Sequence, residues 1–222
     1  MCGKFTQLVA WEDAPVLFPK LMEPTPDESP VVFATPMRSA LIIRLDEGGR
    51  RESKRMRWGF SNPGSASFKP DHMHARSETI DTRPTFSESF AERRGILIVD
   101  TFNEGEEQPG GKTKQWVIRP RDRKPIAIAV IWEEWEGDAG AVPCFIQVTV
   151  PANALVSKIT DRMPAILQPE DWPVWLGEVD APLKDVKALL RTFDDAGNWE
   201  MTEQASSKAA KATKTKPQMD LF

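Results

Sequence analysis

The sequence is poor in several features that would assign a protein to a common class. Of its 222 residues, two are cysteine and two are histidine. Cys2 and Cys144 cannot build a disulfide framework, so we expect a reducing compartment, the cytoplasm. No apolar run approaches the roughly 18 residues of a membrane-spanning helix, and the N-terminus has no signal-peptide pattern, so we expect no membrane contact. The formal net charge of −4 excludes a generic polyanion binder, so any nucleic-acid site must be a local basic patch.

Familiar nucleotide, redox and metal motifs are missing too. The chain contains no Gly-x-Gly-x-x-Gly, no Walker loop, no Cys-x-x-Cys and no His-Glu-x-x-His. His72 and His74 stand close together, but no third ligand follows at a plausible spacing. We therefore expect no metal and no cofactor.

The segments that are present predict one domain. Short stretches rich in β-branched and aromatic residues favour strands; they are residues 31–36, 40–45, 54–60 and 96–102, followed by KQWVIRP, PIAIAVIWEEW and VPCFIQVTV. Helical spacing predicts helices over residues 82–94, in PEDWPVWLG and in APLKDVKALLRTF, the last carrying Leu183, Val186, Leu189, Leu190 and Phe193. Because no βαβ alternation repeats, we expect a single mixed α+β domain over residues 2–200, built around a curled, largely antiparallel β-sheet or barrel with flanking helices.

Most of the large side chains outside the motifs discussed below are expected in the core. Packing is the predicted role of Trp116, Trp132, Trp135, Trp172 and Trp175. Cys144 stands in an apolar strand segment and is expected to be an inert buried thiol.

The composition changes after Trp199. Residues 201–217 are rich in Ser, Ala, Thr and Lys, which predicts a flexible Lys-rich linker. The last five residues, QMDLF (218–222), are apolar again and are the candidate for a short peptide motif that binds a partner.

Cys2 directly follows the initiator methionine, which is normally removed before a small residue. Removal would leave Cys2 with an α-amine of pKa ~7.7–8.0 beside its own thiol. The neutral amine attacks an aldehyde to give a Schiff base, and the thiol then closes a five-membered thiazolidine. Cys2 is therefore suited to trapping aldehydes, unless it is only a small residue after the start.

Several short motifs follow in a fixed order. After MCGKF come RWGF (57–60), HARSET (74–79), ILIVDTFNE (96–104) and ITDRMPAIL (159–167). Together they resemble the SRAP (SOS-response-associated peptidase) family, whose members shield abasic sites in DNA, over roughly residues 2–180. The resemblance implies an SRAP-like fold and a thiazolidine between the terminal cysteine and the ring-opened aldehyde of an abasic site in single-stranded DNA.

The resemblance also implies roles for individual residues. Cys2 would be the crosslinking nucleophile, and Glu104 falls at the family's catalytic glutamate, a proton-transfer group. The implied DNA-binding residues are Lys4, Pro36, Trp58, Arg76, Arg162 and Pro164. Among them Arg76 would contact phosphate, Trp58 would stack on or wedge against a base, and Pro36 would lie near a DNA kink.

Some positions depart from the family pattern. Thr160 stands where the family has its catalytic histidine, and His74 stands where it has asparagine, so His74 either supplies the missing imidazole or only forms hydrogen bonds. Lys4 replaces an arginine and loses its bidentate geometry. Asn103 and Gly105 replace tyrosine and tryptophan beside Glu104, which predicts a thinner pocket wall.

Two other functions stay open at this point, and so does the question of whether the protein is an enzyme. One is a thiol peptidase or amidase in which the α-amine of Cys2 is the base for its own thiol. The other is a DNA-binding adaptor with a decayed site, which Thr160 favours. Denaturing gels of the protein with abasic DNA would separate them.

The final pentapeptide resembles the bacterial sliding-clamp-binding motif Gln-Leu-Ser/Asp-Leu-Phe. The resemblance implies that Gln218 hydrogen-bonds the clamp while Leu221 and Phe222 fill its apolar cleft. The expected partners are therefore abasic single-stranded DNA and a sliding clamp, with the protein itself a monomer.

Overall fold

The computed structural model describes residues 3–7, 34–62, 64–65, 67–137 and 140–204. Its strands are β1 (Lys4–Thr6), β2 (Ser39–Leu45), β3 (Arg51–Trp58), β4 (Phe60–Ser61), β5 (Pro70–His72), β6 (His74–Arg76), β7 (Arg94–Val99), β8 (Thr101–Gln108), β9 (Lys112–Pro120), β10 (Ile126–Gly137), β11 (Gly140–Pro151), β12 (Arg162–Pro164) and β13 (Trp199–Glu203). The helices are α1 (Pro84–Glu92), α2 (Trp172–Leu176) and α3 (Leu183–Ala188), with 3-10 turns at Val156–Lys158, Pro169–Asp171 and Ala196–Asn198. Cys2, most of the strand predicted over 31–36, and residues 205–222 lie outside the described residues.

Five strands close into a barrel in the order β10, β7, β2, β3, β11, because β11 also pairs with β10. Most of these pairs are antiparallel, whereas β3 and β6 run parallel to β11. The prediction of a curled, largely antiparallel sheet or barrel is therefore confirmed. Side chains fill the interior so tightly that a Cβ on Gly95 would lie 2.7 Å from Ile42 Cγ2.

A second sheet stands beside the barrel, with strand order β1, β8, β9, β13. Its β1 strand pairs antiparallel with β8, so that Lys4 faces Asn103 and Phe5 faces Phe102. The Phe5 ring packs 5.2 Å from the Trp58 ring at the end of barrel strand β3. This aromatic contact fixes the second sheet against the barrel.

The helices lie where the sequence predicts them, but they are shorter than predicted. Helix α1 begins at Pro84, whose fixed φ suits a first turn, and buries Phe86 and Phe90 as predicted. Helix α3 is shorter than its apolar pattern predicts, and Leu183 at its start is 45% exposed although Val186 is buried. Only part of the predicted apolar face therefore reaches the core.

Strand β13 was not predicted, and it runs beyond the domain boundary placed at residue 200. Trp199 and Met201 pair with Pro120 and Ile118 of β9, and Glu203 with Trp116. Its sequence, WEMTE, is too polar for pattern analysis to predict a strand. A polar strand is possible here because β13 lies at the edge of its sheet. Strand β13 therefore includes residues 201–203, which the sequence analysis assigned to the linker.

The core contains most of the side chains assigned to it. Trp135, Trp172 and Trp175 are buried, whereas Trp116 and Trp132 are only half-buried. Cys144 is fully buried, and burial is the first cause that raises the pKa of its thiol to about 12, so it is an inert thiol as predicted. No helix in the described ranges is long and apolar enough to cross a membrane.

Candidate active site where the barrel meets the second sheet

Glu104 lies on β8 in the second sheet rather than in a surface loop. Its side chain is on the same face of the sheet as that of Phe102, two residues earlier, and therefore as that of Phe5. The residue is fully buried, and Phe5 packs against Trp58 of the barrel. The carboxyl group thus lies at the junction between the sheet and the barrel.

The surroundings of Glu104 favour its protonated form. Burial is the main cause that raises the pKa of this carboxyl above its ordinary value. A hydrogen bond from the Gly105 backbone lowers the pKa, and the negative charge of Asp161, a smaller effect, raises it. A carboxylic acid with a raised pKa keeps its proton to a higher pH than an exposed glutamate does. Glu104 is therefore suited to donate a proton inside the molecule.

Trp58 forms the centre of an aromatic cluster at the same junction. Its ring lies 5.2 Å from Phe5, 5.9 Å edge-on from His74 and 6.2 Å stacked on Phe145, measured between ring centroids. Its indole N–H donates to the carbonyl oxygen of Met73 at 3.0 Å. The indole is fully buried, so the base-stacking role predicted for Trp58 finds no exposed ring face in this structure.

His74 is half-buried on β6, on the barrel side of this cluster. Strand β6 runs parallel to β11, and His74 is in register with Gln147. Register partners on adjacent strands direct their side chains to the same face of the sheet. The imidazole predicted as a possible acid or base is therefore placed beside Trp58 and next to a buried amide.

The Arg-Met-Pro part of the ITDRMPAIL motif forms strand β12, which pairs antiparallel with the end of β11. Thr160 is half-buried, and its backbone N–H donates to the Val156 carbonyl oxygen at 3.1 Å. Asp161 is exposed, yet its charge acts on Glu104. The position of the missing family histidine is thus adjacent to a residue that influences the Glu104 carboxyl.

Arg162 is held within the protein. Its guanidinium group forms a bidentate ion pair with Glu78, and its Nη2 also donates to the Thr149 carbonyl oxygen at 2.6 Å. The Arg162 hydrogen bonds are the first cause that lowers the pKa of Glu78 to about 2. Pro164 is buried in β12 opposite Thr149. Arg162 and Pro164 are therefore buried within the protein, and their contact with DNA remains a prediction.

Three other predicted DNA contacts lie nearer the surface. Arg76 is exposed at the end of β6, and Lys4 is half-buried at the start of β1. Pro36 lies in a turn beside β3, where the Met37 N–H donates to the Trp58 carbonyl oxygen at 3.0 Å. Arg76 is the most accessible of these side chains.

Gly105 and Asn103 lie on the face of β8 opposite Glu104, so neither side-chain position lines the space around the Glu104 carboxyl group. A Cβ on Gly105 would lie 2.7 Å from Thr113 Cγ2 and 3.1 Å from Gln115 Nε2. Side chains of β9 therefore occupy the space that a larger residue would need. Asn103 is buried, and its amide donates to Gln204 Oε1 at 3.4 Å. The two departures from the family pattern are thus accommodated by β9 and by the residue after β13.

The described part of the chain is therefore a small closed barrel joined to a second sheet, with a protonatable carboxyl group buried where the two meet. The chain belongs to the SOS response associated peptidase (SRAP) family, whose model matches residues 1–208. The family resemblance inferred from the motifs is confirmed.

Named relatives agree with this assignment. The chain is 27% identical over 199 residues to the abasic site processing protein YoqW of Bacillus subtilis, covering 87% of this chain and 88% of that protein. It is 29% identical over 181 residues to the abasic site processing protein YedK of Escherichia coli, covering 79% of each. A crystal structure of a Bordetella bronchiseptica protein has the same fold, with a TM-score of 0.77 and 24% identity over 92% of this chain and 100% of that one.

Sequence reasoning missed three residues that shape the site. These are Gln147, the buried neighbour of His74, Glu78, the partner of Arg162, and Asp161 beside Thr160. Asp161 and Glu78 could have been found from the sequence, since they lie inside the motifs ITDRMPAIL and HARSET, whereas Gln147 lies outside every motif. Among the described residues, no three His, Cys, Asp or Glu side chains are grouped so that they could hold a metal ion.

Proposed function

We propose that this protein processes abasic sites in single-stranded DNA by covalent capture through Cys2. The observation that carries the proposal is the buried Glu104, whose pKa burial raises, on the strand that pairs with β1. Membership in the SRAP family and relatives named abasic site processing proteins support the same substrate. The captured site would be protected during replication or repair.

The covalent chain places limits on the position of Cys2 relative to Glu104. Gly3 is exposed and precedes Lys4, which faces Asn103 across β1 and β8. Adjacent Cα atoms are about 3.8 Å apart, so Cys2 stays close to Gly3 wherever its side chain points. Because β1 and β8 are antiparallel, the chain before Lys4 is at the Glu104 end of the pair. The proposed nucleophile and the proposed acid can therefore act on one bound sugar.

The proposed reaction conserves atoms and needs no oxidant. The closed sugar opens when the C1 hydroxyl loses its proton, the bond from C1 to the ring oxygen breaks, and that oxygen is protonated. The neutral α-amine of Cys2 then adds to the C1 aldehyde, and loss of water gives an imine. Finally the thiol sulfur bonds to C1 and its proton passes to the imine nitrogen, which closes the thiazolidine.

Glu104 would supply protons to this sequence at two points. A protonated carboxyl can donate to the ring oxygen as the sugar opens and to the hydroxyl that leaves as water during imine formation. Burial raises its pKa, so more of it is protonated near neutral pH than for an ordinary glutamate. Exposed Arg76 would hold a neighbouring phosphate through charge-assisted hydrogen bonds, with Lys4 and Pro36 as further contacts.

One experiment tests the proposed function as a whole. Untagged protein is incubated with an oligonucleotide that carries one abasic site, heated and run on a denaturing gel. We expect a shifted band that survives heating, and none with an undamaged oligonucleotide. Binding without a heat-stable band would instead favour the DNA-binding adaptor, and cleavage of peptide substrates without DNA capture would favour the peptidase.

Glu104→Gln should slow crosslinking on the order of 10²-fold, because the amide retains the shape of the side chain but cannot donate the same proton. In the wild type the rate should fall as pH rises through the raised pKa of Glu104, while the growing neutral fraction of the Cys2 α-amine acts in the opposite direction. The variant should lack this decline. Single-turnover rates across pH measure both effects.

A neighbouring carboxylate provides the control for this variant. Glu107 is exposed on the same strand, with its side chain on the opposite face from Glu104. Glu107→Gln should therefore react like the wild type. If it slows the reaction and Glu104→Gln does not, the acid has been assigned to the wrong glutamate.

Thr160→His should accelerate crosslinking, because the wild-type hydroxyl cannot exchange a proton near pH 7 and an imidazole can. The gain should be at most on the order of 10²-fold, since Glu104 already supplies one proton-transfer group. Rates of the two proteins on one abasic oligonucleotide measure it. No gain from Thr160→His, combined with a loss in His74→Ala, would show that His74 already performs this role.

We also propose that residues 218–222 bind a sliding clamp. The four lysines between residues 204 and 219 would add non-specific attraction to the DNA that the clamp encircles.

All residues proposed for abasic-site capture belong to one chain, so a monomer suffices for the reaction.

A further inference from the structure

Gln147 is a buried amide in the described part of the structure whose side-chain oxygen and nitrogen both have no hydrogen-bond partner. The residue is fully buried in the middle of β11. Gln7 is a buried glutamine that allows a comparison. Its amide donates to the Ile98 carbonyl oxygen at 2.8 Å and to the Leu41 carbonyl oxygen at 3.3 Å. One buried glutamine is therefore satisfied by the fold, and the other is not.

An unsatisfied amide in a protein interior is a cost that a fold seldom retains without use. Burying a polar group without a partner destabilises the folded state, whereas an apolar side chain of similar size would stabilise it. Phe145, two residues earlier on the same face of β11, is apolar and fully buried. The strand therefore accepts apolar residues, and packing alone does not require an amide at this position.

The position of Gln147 relates it to the candidate active site. Its register partner on β6 is His74, and Phe145 lies two residues earlier on the same face of β11. Both His74 and Phe145 contact the Trp58 ring, whose other neighbour, Phe5, belongs to the sheet that carries Glu104. Gln147 and Glu104 are thus connected through one aromatic cluster around Trp58.

Accessibility does not separate Gln147 from the site. Glu104 is buried to the same extent, so full burial alone does not distinguish Gln147 from a residue of the candidate active site. An amide offers one acceptor and two donor hydrogens. The ligand that fits it is a small group with hydroxyl or carbonyl oxygens.

We infer that Gln147 is a further substrate-binding residue, whose amide binds the hydroxyl group released when the abasic sugar opens. This inference rests on the proposed function. In the closed sugar the ring oxygen is bonded to C1 and carries no hydrogen. After the C1–oxygen bond breaks and the oxygen gains a proton, the new hydroxyl donates to the Gln147 amide oxygen and accepts from its NH₂ group. The amide therefore favours the open-chain aldehyde that Cys2 captures.

The test compares stability with reaction rate in Gln147→Met, which is unbranched and similar in volume. The unfolding midpoint should rise by about 2–4 °C, since each kcal/mol gained shifts it by that amount in a chain of this size. Crosslinking to an abasic oligonucleotide should slow about three- to tenfold, the loss expected for an uncharged hydrogen bond. Binding to an oligonucleotide with a tetrahydrofuran, which cannot open, should remain within twofold of the wild type.

The other outcomes identify what has failed. Gln7→Met is the control for stability and should lower the midpoint, because it removes bonded groups. If Gln147→Met lowers the midpoint likewise, or if it crosslinks at the wild-type rate, the inference is overturned. Gln147→Leu repeats the test with a second shape. If the wild-type protein itself forms no crosslink, the proposed function fails first and the inference falls with it.

Discussion

Cys2→Ala should abolish the heat-stable complex with abasic DNA. The substitution removes the thiol, so an imine formed by the remaining α-amine cannot close to a thiazolidine and hydrolyses again. The expected loss is complete at the level of a denaturing gel, because ring closure is the step that makes the adduct durable. The measurement is the fraction of oligonucleotide shifted after heating.

Two further variants make this result specific. Cys2→Ser retains the α-amine, so it should still give an imine that borohydride reduces to a permanent bond. Cys144→Ala removes the buried thiol, whose pKa is raised to about 12, and should crosslink like the wild type. Crosslinking by Cys2→Ala at the wild-type level would show that another nucleophile acts and would contradict the proposed function.

The state of the N-terminus is part of the same test. A retained Met1 or an N-terminal tag would block the α-amine of Cys2, so mass spectrometry of the purified protein must accompany the gel. With Met1 removed, the amine has a pKa near ~7.7–8.0 and is partly neutral at pH 7. Crosslinking should therefore be lost in a protein with a blocked terminus and recovered when the block is cleaved.

Local sequence patterns predicted the parts of the fold that local interactions determine. The first helix follows from Pro84 and the spacing of Phe86 and Phe90, and each of these features acts within a few residues. Strand β13 was missed because its sequence is mostly polar and its pairing partner β9 is distant in the chain. Periodicity cannot detect an edge strand of this kind, whose stability depends on a partner rather than on its own apolar face.

In the candidate active site, too, local sequence patterns predicted some features, and others depend on contacts between distant residues. The motifs identified Glu104, but taken without the family resemblance it would be a surface acid in a cluster of glutamates. Its burial comes from the tertiary structure around it, such as the sheet and barrel that meet at Phe5 and Trp58, which are far apart in sequence. Arg162 is likewise a candidate DNA contact by sequence, but in the structure its guanidinium group pairs with Glu78. Gln147 carries no sequence signal, because its significance lies in the partners that it does not have.

Changing both Leu221 and Phe222 to Ala should abolish binding to a bacterial sliding clamp and leave abasic-site crosslinking in vitro intact. In the motif that QMDLF resembles, these two side chains fill an apolar cleft while Gln218 forms a hydrogen bond. Short peptides bind through a few such anchors, so removing both eliminates most of the buried apolar area. Crosslinking should persist because none of the residues proposed for it lies beyond residue 204.

The affinity is measured by calorimetry with a peptide of residues 213–222 and the clamp of the protein's own host. We expect a micromolar dissociation constant, roughly −8 kcal/mol. Changing Thr213 and Thr215 to Ala is the matched control, since it alters the same segment outside the motif and should leave the affinity unchanged. A wild-type peptide that does not bind the host clamp would refute this part of the proposal.

Clamp binding would change where the chemistry takes place rather than how fast it is. A protein tethered to the clamp through residues 205–217 samples the nearby single-stranded DNA at an effective concentration that the length of this segment sets. Abasic sites that stop replication are exposed at that place, so tethering would favour their capture over the rest of the DNA. On a primed template carrying a loaded clamp and one abasic site, the wild-type protein should therefore crosslink faster than the Leu221→Ala, Phe222→Ala protein. On the same oligonucleotide without the clamp, the two proteins should react at equal rates.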